Sequence, residues 1–235
     1  GFRNPNIDDI GKIFSKDDVN VVIPNRNLKP EYANNFELSI NYVLDALKLQ
    51  IQLFSTHISN AINREYGTLN GADSMFYDGQ MMRIQMNKNI ESATINGASL
   101  YANFAARDNF LISANYNYLT GEANNNKPLA HIPPFNSKLS FNYQLKGHTF
   151  NLYTHYNAWK VIGNYDEAGV DNLVEATSDG NPSWYTLNLA YTNKINNNIS
   201  LAFSIKNILD THYKTFGSGL SASGQNFVVA ITADF

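Results

Sequence analysis

From Phe36 to Leu44 the chain reads FELSINYVL, with an apolar side chain at every second position up to Tyr42, and the same period of two returns in segment after segment. Alternation of this kind is the signature of a β-strand with one apolar and one polar face. It predicts nine strands: about Asn34 to Leu44, Leu47 to Ser59, Ile90 to Ala105, Phe110 to Leu119, Ser137 to Leu145, Thr149 to Trp159, Trp184 to Asn193, Ile199 to Leu209 and Gln225 to Phe235. One phase of these strands carries Phe36, Leu38, Ile40 and Tyr42, then Leu47, Leu49, Ile51 and Leu53, and continues in the same manner to Phe227, Val229, Ile231, Ala233 and Phe235. No charged residue falls in it. The opposite phase is wet, with Glu37, Ser39, Asn41, Lys48, Gln50, Gln52, Ser113, Asn115, Asn117, His155 and Lys206 among its members.

The connections alternate in length. "DA" at Asp45, "ARDN" from Ala106, "KGH" from Lys146 and "KINNN" from Lys194 are tight turns. The other connections are long and polar: Asn60 to Asn89, Thr120 to Asn136, Lys160 to Ser183 and Asp210 to Gly224. Antiparallel strands reverse direction each time, so the tight turns gather at one end of the sheet and the long loops at the other. A soluble sandwich and a membrane barrel both tolerate the alternation. Strand length, one-sided loops and tyrosines near the strand ends favour the barrel, in which a charge facing mid-bilayer costs about 2–4 kcal/mol. The expected fold class is all-β, an antiparallel transmembrane β-barrel.

Composition narrows the function. Of 235 residues 16% are charged, below the roughly 25% of soluble domains, while aromatics reach 13% and polarity is carried largely by asparagine. A net charge of -3 gives no reason to expect a nucleic-acid partner. Cysteine is absent, which removes disulfides and thiolate metal sites. No apolar run is long enough for a transmembrane helix. The opening GFRNPNIDDIGK lacks the basic and apolar regions of a secretory signal.

The stretches "GFRNPNIDDIGKIF" and "VVIPNRNLKPEYANNFELSINY" resemble the paired boxes of TonB-dependent outer-membrane receptors, and more closely those of Bacteroidetes related to ferric-enterobactin and colicin receptors. "ATINGASLYANF", "PLAHIPPFNSKLSFNYQ" and "SWYTLNLAYTNKINNNISLAFSIKNILDTHYKTFGSG" extend the similarity along the chain. The resemblance implies a barrel of about 22 strands around a plug, of which residues 1–235 would be the C-terminal portion, with the plug domain and N-terminal strands absent. Implied partners are outer-membrane lipid, the remaining strands and plug, the TonB energy-transducing complex and a small-molecule iron chelate. Phe235 resembles the terminal aromatic read by the barrel-assembly machinery, and it also fits a lipid-facing side chain.

Candidate chemistry points to recognition rather than catalysis. No G-x-S-x-G, phosphate-binding glycine loop or Cys/His pair is present, and no cofactor is expected. His57, His131, His148, His155 and His212 lack metal-ligand spacing. Asp166, Glu167, Asp171, Glu175 and Asp179 read as a solvated loop rather than a calcium site. The segment Asn60 to Asn89 combines Tyr66, Phe76, Tyr77 and Met81 with Arg83, aromatic surface plus one cation, as an aryl-rich anionic chelate requires; an ordinary long loop is the other reading. Arg3 and Arg26 would either attract an anionic ligand or pair with Asp8, Asp9 or Glu31.

The resulting expectation is a receptor and active transporter for a ferric siderophore or similar bulky chelate. A haem receptor of the same family, a passive porin and a soluble carbohydrate-binding sandwich are the alternatives. "FRNP" and "NRNL" resemble the FRAP and NPNL boxes of haem receptors, in which a histidine between the boxes reaches the iron. Ile7 to Pro24 contains no histidine, cysteine, tyrosine or methionine.

Overall fold

The computed structural model describes residues 1–15, 17–124 and 126–233. Nine long strands form the wall: β1 (Glu31–Leu44), β2 (Leu47–Ser59), β3 (Ser92–Arg107), β4 (Phe110–Ala123), β5 (Asn136–Leu145), β6 (His148–Asn157), β7 (Trp184–Lys194), β8 (Ile199–Lys206) and β9 (Asn226–Ala233). Each pairs antiparallel with the next. A two-residue strand, Phe2–Arg3, lies against the start of β1 with Phe2 opposite Tyr32, so the sheet has ten members where the alternation predicted nine. The short β5–β6 turn places Lys146 at φ 43° and Gly147 at φ 86°. Two successive left-handed residues match the right-handed twist of the flanking strands.

Register puts the expected apolar phase on one face. Ile40 opposes Ile51, Ile51 opposes Leu100, and Leu100 opposes Tyr116. Another row on the same face runs Leu152, Leu189, Ile205 and Phe227 across β6 to β9. Much of this face is exposed, with Phe36 at 78%, while Leu100, Leu189 and Ile205 are half-buried by their neighbours. A continuous uncharged face of this extent is stable only against hydrocarbon. The other face is cross-linked by neutral side chains. Ser99 Oγ donates to Asn117 Oδ1 at 3.1 Å, Asn117 Nδ2 donates to Asn115 and Asn136, and Ser113 and Ser140 donate to Asn103 and Asn151. The abundance of asparagine is thereby explained, since amides saturate one another along a sheet without introducing charge.

β1 and β9 both run from the long-loop end toward the short turns. Among the described residues β9 pairs only with β8, and the outer edge of β1 meets only Phe2–Arg3. The terminal Phe235 lies outside the described residues.

The expectation of an irregular loop from Asn60 to Asn89 is corrected. Ile62–Tyr66, Ser74–Tyr77 and Gln80–Asn89 are strands, and they join Phe14–Ser15 and Asn20–Ile23 in a second, five-stranded sheet at the long-loop end. Asn20–Ile23 runs parallel to Arg83–Met86, with Val21 opposite Ile84. One face of this cap sheet packs Val21, Ile23, Met82 and Ile84 with Met75, Tyr77 and Met86. Val21 and Ile84 are completely buried, deeper than any side chain of the wall. A second cluster, Ala61, Ala93, Ala123, Leu129 and Ile132, closes the polar face of the wall at the same end.

Candidate functional site

The opening box folds as a short helix, Ile7–Ile10, because Asn6 and Asp9 form a reciprocal cap: the Asn6 side chain accepts from Asp9 N–H, and the Asp9 carboxylate accepts from Asn6 N–H. That carboxylate also receives Asn87 Nδ2 at 2.6 Å and the guanidinium of Arg3 at 3.4 Å. Arg3 Nε donates to Glu31 Oε1 at 2.6 Å, and Glu31 Oε2 accepts from Ile62 N–H. Arg3 thus follows the ion-pair reading. Arg26 is exposed and makes no ion pair among the described residues.

The cap sheet divides the remaining sequence candidates. Tyr66 lies opposite Gln85, and Phe76 opposite Met81, so Tyr66, Phe76, Met81 and Arg83 share one face. Arg83 stacks its guanidinium 3.8 Å from the centre of the Tyr66 ring. Phe76 is 68% exposed and Met81 is 65% exposed, leaving the hairpin tip apolar. Tyr77 points to the opposite face and packs in the core, so it is not part of this surface.

The acidic loop from Asp166 to Asp179 is only partly solvated. Asp166 and Asp171 are buried. Asp166 accepts from Val170 N–H, and Asp171 accepts both His131 N–H at 2.7 Å and the His131 ring at Nδ1, 2.9 Å away. Lys160 is buried beside them, donating to Ile132 O at 2.6 Å with the Phe216 ring 5.0 Å from its ammonium. Burial pulls the Lys160 ammonium below the usual lysine value, against the opposing attraction of Asp171 and Asp166. These contacts tie the loops after β4, β6 and β8 together. Among the described residues no group of three or more His, Cys, Asp or Glu is placed to hold a metal ion.

Between the box, the cap sheet and these loops lies a cavity of about 390 Å³, lined by Arg3, Asp9, Glu31, Arg64, Ile58 and His131 among others. The sequence reading did not single out Arg64, because "NREY" offers nothing to distinguish it from a surface arginine. Its enclosure comes from the opening box together with loops more than sixty residues later in the chain.

Residues 1–208 match the family described as TonB dependent receptor-like, beta-barrel. Among curated proteins, a probable hemoglobin and hemoglobin-haptoglobin-binding protein 4 of Haemophilus influenzae is 29% identical over 240 residues, covering 94% of this chain and 23% of its own length. Hemoglobin and hemoglobin-haptoglobin-binding protein A of Haemophilus influenzae is 24% identical, with 94% and 21% covered. The chain therefore spans less than a quarter of these relatives. Among solved structures, the copper transporter OprC superposes with a TM-score of 0.77 at 17% identity, covering all of this chain and 36% of its own. The ferric enterobactin receptor PfeA of Pseudomonas aeruginosa, as a Q482A mutant in complex with enterobactin, gives 0.72 at 20% identity, with 92% and 33% covered. An amphipathic antiparallel wall with loops gathered at one end, matched by the family over most of its length, identifies this chain as part of the β-barrel of a TonB-dependent outer-membrane receptor.

Proposed function

We propose that the protein containing this chain captures a bulky iron chelate at its outer loops and passes it through the barrel, with a ferric siderophore as the preferred cargo. The observation that carries this reading is the ordered cap sheet, which presents Phe76, Met81, Tyr66 and the Arg83 guanidinium on one face at the long-loop end. Aromatic and cationic surface together suit an anionic, aryl-rich chelate whose iron is already coordinated. Transport is energised by TonB acting on a plug, as the family membership supports, and the catalytic chemistry of an enzyme is not involved. The resemblance to Bacteroidetes ferric-enterobactin and colicin receptors agrees with the same cargo.

A second reading, haem taken from haemoglobin, is favoured by the names of the two Haemophilus relatives. The segment between the two boxes has no histidine, cysteine, tyrosine or methionine to serve as an axial haem ligand, so in that case ligation falls to His57, His131 or a residue elsewhere in the protein. Equilibrium binding by the full-length receptor in detergent separates the two. The siderophore reading expects saturable binding of ferric chelates; a ligation-type Soret shift with haem and no binding to a chelate panel would overturn it.

A further inference from the structure

The cavity bounded by the opening box and the cap sheet contains two carboxylates and two arginines that are not equivalent. Asp9 receives Asn6 N–H, Asn87 Nδ2 and Arg3, and Glu31 receives Arg3 and Ile62 N–H, so neither acid has an unused oxygen. Arg3 is held between them. Arg64 is different. Its side chain forms no hydrogen bond or ion pair among the described residues, and its Nε is sealed from solvent without an acceptor. Its guanidinium lies 5.5 Å from the Phe14 ring, which offers attraction to a cation but no lone pair. Arg64 borders the cavity on one side and a smaller one, reaching Asp166 and Lys127, on the other. Burial disfavours its charged form, while Asp166 and Asp9 act on it only at a distance. The remaining guanidinium nitrogens are not sealed and have no protein acceptor among the described residues, so a charged acceptor entering the cavity that Arg64 lines can bond to them.

We infer that Arg64 is the anion-recognising group of a ligand cavity between the opening box and the cap sheet, taking a carboxylate, catecholate or similar oxyanion of the cargo. The inference rests on the proposed uptake of an iron chelate and deepens it: the exposed face with Phe76 and Arg83 makes first contact, and Arg64 selects for negative charge further in. Arg83 is less suited to that selection because its guanidinium already stacks on Tyr66. Ile58, Ala93 and Leu129 add apolar surface to the same cavity.

The test uses the full-length receptor in detergent with three probes: a trianionic ferric tris-catecholate, haem with its two propionates, and a neutral ferric tris-hydroxamate. Arg64→Gln is expected to weaken the anionic probe that the wild type binds by roughly ten- to a hundred-fold, to leave any binding of the neutral probe within about two-fold, and to be partly rescued by Arg64→Lys. Unchanged anionic affinity, or equal loss for anionic and neutral probes, overturns the inference and leaves the uptake reading standing. Unchanged affinity with a lowered melting temperature assigns Arg64 instead to a carboxylate from another part of the receptor, and also overturns it. A wild type that binds neither anionic probe overturns the inference; the siderophore reading stands if that wild type binds the neutral tris-hydroxamate, and falls with the inference if it binds none of the three.

Discussion

Phe54 lies flat across Gly97. The two residues face each other on neighbouring strands β2 and β3, on the polar side of the wall, and a Cβ added to Gly97 would clash with Cε1 and Cζ of the Phe54 ring. The glycine makes room for an aromatic side chain where the alternation otherwise places polar groups, and the ring covers the backbone that glycine exposes. Gly97→Ala is therefore expected to destabilise the receptor by about 1–3 kcal/mol through overpacking. Its melting in detergent should fall below wild type, and Phe54→Ala in the same chain should restore part of the loss. An unchanged melting temperature for the single variant would contradict the packing described.

Gln50 and Ile51 test the assignment of the two faces with neighbouring residues. Ile51→Arg places a charge on the hydrocarbon side and should cost about 2–4 kcal/mol. Gln50→Arg points to the polar side and should change little. Refolding yield into lipid vesicles reads the difference, and equal effects would mean that the faces are wrongly assigned.

Ile84 is the buried centre of the cap sheet, and truncation to alanine is expected to cost about 2–5 kcal/mol. The wall does not depend on it. Hydrogen exchange should accelerate in Asn20–Ile23 and Gln80–Asn89 while β1 to β9 remain protected, and ligand capture should weaken together with the cap.

Lys160 gives a dependence on pH. Its charged form is disfavoured on folding, so the penalty is full below its lowered folded value and is relieved as pH rises from there toward the unfolded value of about 10.5. Loop stability should accordingly increase with pH across that alkaline window in the wild type. Lys160→Met loses the bond to Ile132 O and should lose this dependence. Local hydrogen exchange in residues 126–135 and 160–171, corrected for the intrinsic rate, checks both.

The wall was legible in the sequence because its determinants are local: a period of two sustained over eight to sixteen residues, with turns of matching chemistry at one end. The cap sheet was not. Ser74–Tyr77 is too short to show a period, and the pairing of Asn20–Ile23 with Arg83–Met86 depends on a partner far away in sequence. The signal that could have found it was Met82, Ile84 and Met86 alternating with Arg83 and Gln85. For the candidate site, the aromatic and cationic content of Asn60 to Asn89 was readable, and so were both possible fates of Arg3. The facing of Tyr77 required the hairpin register, and the enclosure of Arg64 required the folds of two later loops.

The parallel pairing within the cap also sets an order of assembly. Asn25 Nδ2 bonds to Asn87 O across 62 residues of sequence, and the β1–β2 hairpin, Glu31 to Ser59, lies within that interval. Closing so long a segment while it is unstructured carries a large entropic penalty, which falls once the hairpin has turned back on itself and brought Glu31 beside Ile62. The cap is therefore expected to close over strands that are already paired. A receptor assembled in this sequence gathers Phe76 and Met81 onto the proposed capture surface only after this part of its wall exists.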